Sequence, residues 1–356
     1  MDTGSAKSDE HTPTDNEKYS RAKTRRDAHV LKVLSSTSRK KVVVAGPGTG
    51  KTYLFKKLLE GKQRTLTLTF TNALVEDLSL ELYGMTEVRT LHSFASELLK
   101  RIWKRKEINI FPRLSDLIRE DLRAMTGQDV DFEKVFHTRD DSNPQIGFYR
   151  RRKKYYDDSY GYSDIVFAAV KFLERNPDRI PKYEQIVVDE FQDFNFLEVS
   201  LVELLAGSSP VVLAGDDDQA LYDFKHADPE HLRKRHDNRI SEYEAFNLPM
   251  CSRCTRVIVG AANDIVKSAM GANLLQSRIA KPYEYFDGKG EDETSARFPA
   301  LTYRQLYASQ FGWLIETKLD QIAGLMRESF SVLGRVNTIH DIIAINGDHS
   351  GAVRED

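Results

Sequence analysis

The sequence predicts an α/β fold built on a parallel sheet, and three stretches carry that prediction. An apolar strand runs through a glycine-rich turn into a helix at 41–59, a second apolar strand ends on consecutive carboxylates at 185–190, and a third ends on an acidic turn at 210–219. Apolar strands separated by helical periodicity are what a parallel sheet with crossover helices requires. The chain has 356 residues, 40% hydrophobic and 30% charged, which is enough apolar material for one or two cores. No apolar run approaches the roughly 18–20 residues that span a bilayer. The N-terminus is polar and acidic where a signal peptide would be basic and then apolar. A cytoplasmic protein with no membrane partner is the expectation.

Residues 1–26 are Ser, Thr, Asp, Glu and Lys with almost no apolar content, so they are expected to form a disordered tail. An amphipathic helix with Val30, Leu31 and Leu34 then leads to a strand over 41–45, a glycine turn and a helix through Leu59. A strand over 65–70 and helices over 74–82 and 91–103 continue the alternation. Residues 104–160 are helical, basic and irregular and read as a small inserted helical subdomain. The alternation resumes with a helix over 164–176, a strand over 185–189, a helix over 197–205 and a strand over 210–215. A helix over 255–270, a strand over 300–303 and a helix over 308–326 follow. Beyond Leu333 the pattern fades, leaving 334–356 unassigned.

The segment Ala45-Gly46-Pro47-Gly48-Thr49-Gly50-Lys51-Thr52 sits between strand and helix, the context of a phosphate-binding loop. Its glycines let backbone N–H groups converge on phosphate oxygens at a helix N-terminus. Lys51 would reach the terminal phosphates, and the Thr52 hydroxyl would ligate Mg²⁺. Lys51 is taken as a solvent-facing ligand whose loss leaves the fold intact. Asp189 and Glu190 end a buried strand, where paired carboxylates are costly unless a cation or a water uses them. Asp189 would hold Mg²⁺, and Glu190 would orient and deprotonate an attacking water. Gln219, after the strand at 211–214, is placed to sense a γ-phosphate, and the aromatics Tyr222 and Phe224 just beyond could touch a second ligand. ATP and Mg²⁺ are the implied cofactors.

The net charge of −2 gives no global case for nucleic acid, so any such case is local. Two clusters interleave basic and aromatic residues, one from Lys100 to Lys106 around Trp103 and one from Arg150 to Tyr156. They suit phosphate contact with base stacking, and they equally suit a solvated helix face. Cys251 and Cys254 are the only cysteines. A zinc site would need two more ligands, with His226, His231 and His236 as candidates; two semi-buried thiols on one turn is the preferred reading.

Five segments, Ala45 to Thr52, Thr69-Phe70-Thr71-Asn72, Thr90-Leu91-His92-Ser93-Phe94, Asp189-Glu190-Phe191-Gln192-Asp193 and Gly215 to Phe224, resemble in order the motifs of UvrD/Rep-like superfamily 1 helicases. The resemblance covers roughly residues 28–266. It implies a RecA-like ATP-binding motor domain over 27–250 that couples ATP binding and hydrolysis to binding and 3′ to 5′ translocation on single-stranded DNA. It further implies that Phe70, Asn72, His92, Tyr222 and Phe224 contact the DNA, with Phe70, Tyr222 and Phe224 lining a base pocket. Gln219 would couple phosphate state to strand grip. The family's Asn-Tyr-Arg-Ser motif stands here as Cys251-Ser252-Arg253-Cys254, which keeps the arginine expected at the γ-phosphate and replaces the adenine-stacking tyrosine. The upstream glutamine that reads adenine has no counterpart in 27–31, so weaker base recognition is implied. Residues 251–333 look like the start of an incomplete second motor domain lacking the later motifs. A split gene, a frameshift or a degenerate paralogue would each give that pattern. The alternative function is a nucleotide-gated interaction module, or a paralogue without unwinding activity of its own, completed by a protein partner or second subunit. On this reading the chain alone hydrolyses ATP very slowly.

Overall fold

A computed structural model describes residues 14–220 and 226–288, all within a compact unit that spans Met1–Arg297. A second unit, Phe298–Asp356, lies outside the described residues, and with it the strand and helix expected at 300–303 and 308–326 and the tail at 334–356. Six strands, β1 (Lys40–Ala45), β2 (Thr65–Thr69), β3 (Glu87–Thr90), β4 (Gln185–Val188), β5 (Val211–Gly215) and β6 (Glu244–Leu248), form one parallel sheet in the order β3-β2-β4-β5-β1-β6. The central strands are apolar on both faces because helices cover both sides.

Helices α1 (Asp15–Ser35), α2 (Lys51–Leu59) and α3 (Asn72–Glu81) pack on one face, where Val33, Leu54 and Leu58 meet Val43 and Val212, and Phe55 and Leu78 meet Val187 and Ala214. The opposite face carries α4 (Leu91–Trp103), α8 (Tyr162–Arg175) and α9 (Phe196–Ala206), whose apolar sides join Val42, Leu66, Ile186 and Leu213 in one cluster. The region over 104–160 contributes α5 (Leu114–Thr126), α6 (Phe132–His137) and α7 (Ile146–Arg152) to the same cluster through Ile118, Phe136 and Tyr149. After α10 (Glu230–His236), the short strands β7 (Met250–Cys251) and β8 (Glu284–Tyr285) pair in parallel, with α11 (Arg256–Gly271) between them in sequence.

The disordered tail expected through residue 26 is corrected from Asp15 onward, where α1 already runs. Thr14 and Glu17 form a capping box at its start. Its first turns are held by distant partners: Ala22 clusters with Met250 and Phe286, and Tyr19 packs edge-on to Phe286 with ring centroids 5.4 Å apart. The apolar partners that order this polar helix lie more than 200 residues away in sequence, so local composition could not reveal them.

Candidate functional site

β1 delivers Ala45, fully buried, to the mouth of a loop that ends where α2 begins. Gly48 and Gly50 have φ of 68° and 94°, the left-handed region that side chains avoid, and Gly50 caps α2. The Thr49 hydroxyl donates to the Gly46 carbonyl at 2.8 Å and closes the loop on itself. The result is a backbone cradle at a helix N-terminus, which suits a phosphate chain.

Lys51, in the first turn of α2, points to the end of β4. Its Nζ lies 2.7 Å from Glu190 Oε1 and 3.6 Å from Asp189 Oδ1. Burial disfavours the charge on Lys51, but Asp189 and Glu190 outweigh it and hold the ammonium above its ordinary pKa. Burial, seconded by Glu190 and opposed by Lys51, pushes the Asp189 carboxyl up. Lys51 is therefore a mostly buried member of an ion triad, with 15% of its side chain exposed, and not the solvent-facing ligand expected. Asp189 Oδ1 is buried without a hydrogen-bond partner. A hard cation takes such an oxygen, so the residues fit Mg²⁺, with the Thr52 hydroxyl one residue past Lys51 as a second donor. Glu190 stands at φ 51° just past the strand, and its side chain, 19% exposed, meets Lys51.

Gln192, only 1% exposed, ties two strand ends together. Its Nε2 donates to Glu190 Oε2 at 2.8 Å, while its Oε1 accepts the Asp216 N–H at 3.0 Å. A Cβ on Gly215 would stand 2.5 Å from that Oε1, so the glycine lets β5 come this close. Gln219 Nε2 donates to Asp216 Oδ2 at 2.5 Å, which places it beside the same junction. The acidic turn Asp216-Asp217-Asp218 is the one group of three metal-capable side chains among the described residues, and Lys281 sits on it. Its Nζ contacts Asp216 and lies 2.5 Å from Asp217 and 3.1 Å from Asp218. Arg233 reaches Asp217 at 3.1 Å, and Arg278 reaches Asp218 at 2.8 Å. Burial opposes the Asp217 charge, but Lys281, the Ile279 N–H and Arg233 outweigh it and lower its pKa.

This latch gives a stability prediction. Lys281→Met should cost about 3 kcal/mol at neutral pH, because it leaves the buried Asp216 without its ion-pair partner and Asp217 with Arg233 alone. Asp217 is stabilised in its charged form, so its contribution is present above the unfolded carboxylate pKa and is lost as pH falls through the lower folded value. The gap between wild type and variant in urea melts should therefore narrow in acid. Equal stabilities at neutral pH would refute the latch.

Cys251 ends β7, and the turn that follows lies on the glycine loop. The Ser252 N–H donates to the Gly48 carbonyl at 2.9 Å, and Arg253, exposed, has its Cβ 2.3 Å from where a Cβ on Gly48 would stand. Arg253 is thus carried to the rim of the phosphate cradle. Among the described residues no His, Asp or Glu joins Cys251 and Cys254 in a three-ligand set.

Past the ends of β2 and β3, on the carboxyl edge of the same sheet, opens a cleft of about 770 Å³. Asn72 starts α3 after β2, and His92 lies in the first turn of α4 after β3. Both line the cleft with Phe70, Tyr162, Arg89 and Lys100. Thr71 and Thr90 cap the two helices, accepting from Leu74 N–H at 3.3 Å and Ser93 N–H at 3.2 Å. Phe70 is 8% exposed and tilts against Phe194 at 6.4 Å, so it is a cleft wall more than a free platform. Tyr162, half exposed, meets His92 edge-on at 5.4 Å.

A family model described as an AAA domain matches residues 31–225, more than half of the chain, and so takes in the glycine loop, the carboxylate pair and Gln219 together. The ATP-dependent DNA helicase PcrA of Staphylococcus epidermidis is 24% identical over 279 residues, 64% of this chain and 38% of that protein. The chain belongs to the UvrD/Rep-like superfamily 1 helicase family. DNA helicase II of Haemophilus influenzae is 27% identical over 180 residues, 47% of this chain and 23% of its own length. The exonuclease/helicase subunit RexA of Lactococcus lactis is 28% identical over 156 residues, 41% of this chain and 13% of that subunit. The chain spans well under two thirds of each of these relatives. Its domain is ATP-dependent DNA helicase-like, and no helix among the described residues is long and apolar enough to cross a membrane.

Within this helicase-like domain the structure brings together Lys51, Asp189 and Glu190, with Thr52 next to Lys51 in the first turn of α2, links Gln219 to Glu190 through Asp216 and Gln192, and lays Arg253 on Gly48. Tyr222 and Phe224 lie outside the described residues. Gln192, Lys281 and Tyr283 were not foreseen as site residues. Gln192 sits inside the quoted carboxylate motif and could have been found there. Lys281 and Tyr283 follow α11 in a segment with no periodicity, yet the Tyr283 hydroxyl lies 3.0 Å from the Pro47 carbonyl. The second basic cluster is partly internal: Lys153 is buried on Asp164 at 2.9 Å, and Arg152 holds Asp121 at 2.5 Å. Arg150, Arg151 and Lys154 remain exposed.

Proposed function

We propose that this domain binds Mg-ATP in the glycine loop and uses hydrolysis to grip and release single-stranded DNA lying in the cleft, as one motor domain of a 3′ to 5′ translocase. The observation that carries the reading is a physical link between the two sites. The Asp189 N–H donates to the Leu68 carbonyl at 2.8 Å, so the strand end bearing the carboxylates is bonded to the strand that two residues later supplies Phe70 to the cleft. A shift of Asp189 and Glu190 on nucleotide binding is felt directly in the cleft wall.

In this reading Lys51 and the loop N–H groups bind the β- and γ-phosphates, Asp189 and Thr52 hold Mg²⁺, and Glu190 takes the proton of the attacking water. Bound Mg²⁺ offsets charge that builds on the phosphates. Arg253 adds a cation at the open side of the cradle. Gln219, held by Asp216, senses the terminal phosphate and passes its state through Gln192 to Glu190.

For the cleft, His92→Ala and Tyr162→Ala should each weaken oligo-dT binding by roughly 1–3 kcal/mol with little dependence on base sequence. Fluorescence anisotropy at low salt reads this, and no binding by the wild type would sink the DNA reading. Neutralising Arg150, Arg151 and Lys154 should reduce the salt dependence of binding.

A further inference from the structure

No step of the proposed ATP reaction uses a thiol, yet the chain's only two cysteines bracket the residues that touch the glycine loop. Cys251 is buried at the end of β7 and Cys254 is half-buried three residues on. The Cys254 N–H points at Cys251 Sγ from 3.4 Å. The Tyr283 hydroxyl lies 3.2 Å from Cys251 Sγ and 4.0 Å from Cys254 Sγ, so one hydroxyl touches both sulfurs, and it is also 3.0 Å from the Pro47 carbonyl of the loop. Between the cysteines, Ser252 bonds Gly48 and Arg253 abuts it. The two sulfurs thus share one hydroxyl across a single turn, three residues apart, within the span over which a disulfide can close.

We propose that Cys251 and Cys254 form a redox-active dithiol that small-molecule disulfides oxidise to an intramolecular disulfide, and that this bond resets how Ser252 and Arg253 lie on the glycine loop. The second half rests on the nucleotide reading above; the first does not. Burial and the neighbouring Cys251 raise the Cys254 thiol, so the first step runs through its minor thiolate fraction: the more exposed Cys254 attacks one sulfur of the small disulfide, forms a mixed disulfide and releases one small thiol. Cys251 then attacks the Cys254 sulfur, the mixed bond breaks, and the second small thiol leaves. Two electrons and two protons pass from the protein to the small disulfide. Burial alone would raise the Cys251 thiol, but the Tyr283 hydroxyl and the N–H groups of Cys254 and Arg253 outweigh it and hold its pKa below the ordinary value. The second attack therefore starts from a favoured thiolate. A bonded Cys251 and Cys254 cannot keep the same contacts with the Tyr283 hydroxyl, and the turn that carries Arg253 must adjust around the new S–S bond.

The test equilibrates the full chain in glutathione buffers of increasing oxidised fraction, alkylates the remaining thiols, maps the cysteine peptides by mass spectrometry, and measures affinity for a fluorescent ATP analogue in each form. Support is a Cys251–Cys254 disulfide that dithiothreitol reverses, with nucleotide affinity changed by about fivefold or more, and no such response in Cys254→Ser. The proposal is overturned if both thiols stay alkylatable in the most oxidising buffer, if only a glutathione adduct on Cys254 accumulates, or if the two forms differ by less than that in affinity. A reduced chain that forms the disulfide but never binds nucleotide overturns the proposed function and the effect on Arg253, while establishing the dithiol.

Discussion

Glu190→Gln is expected to bind Mg-ATP about as well as the wild type while its steady-state turnover falls by about 10²–10⁴, the range that a general base contributes. The amide can still accept the hydrogen bond that Gln192 now gives to Glu190 Oε2, so the junction between β4 and β5 keeps its geometry. It cannot accept the proton of the attacking water. Asp189→Asn should behave differently, because it removes the charge of a buried carboxylate whose Oδ1 accepts no hydrogen bond and so weakens metal-dependent binding. An ATPase assay paired with equilibrium binding separates the two. Equal loss of binding in both variants would reverse the roles assigned to the carboxylates.

Lys51→Met should lower nucleotide affinity by about 100-fold or more, close to 3 kcal/mol, which is the value of a charge-assisted contact to phosphate. Because Lys51 lies between Asp189 and Glu190, the variant should also lose stability, by an amount approaching the roughly 3 kcal/mol seen when one partner of a buried pair is removed. The pH dependence follows from Asp189. Burial already raises its pKa above the unfolded value, and removal of Lys51 raises it further. The penalty is then absent where the carboxyl is protonated in both states, and it grows as pH rises through the raised folded pKa. Chemical melts at acidic and neutral pH should show the variant approaching the wild type in acid. Unchanged nucleotide affinity would remove the phosphate-loop assignment altogether.

The central strands were legible because a strand covered on both faces is written as an unbroken apolar run, as in Val42 to Ala45 and Ile186 to Val188. The loop and carboxylates were legible because glycine at positive φ and charge at a buried strand end are chemically unusual. The edge strands were not: β3 reads Glu-Val-Arg-Thr and β6 reads Glu-Ala-Phe-Asn-Leu, each half solvated and without a periodic signature. The order of strands, and hence the neighbours of each motif, depends on contacts between residues far apart in sequence. That is why Gln192 could be read as part of a motif but not as the bond between β4 and β5. It is also why Lys281 was invisible: nothing near it in sequence announces three aspartates some 64 residues upstream.

β1 lies between β5 and β6, whereas its own successor β2 sits three positions along the sheet, beyond β5 and β4. During synthesis the Val-Val-Val core of β1 and the loop behind it leave the ribosome long before either neighbouring strand exists. The Lys51–Glu190 contact spans 139 residues, which at about 5–20 residues per second means a wait of roughly 7–28 s. Through that interval Lys51 has no carboxylate to meet, and an apolar segment with two open hydrogen-bonding edges stands unpaired. The nascent chain should therefore depend on holdase chaperones until translation has passed β6, and ribosome-bound chains stopped before residue 240 should be protease-sensitive across β1 and gain protection once 248 has emerged.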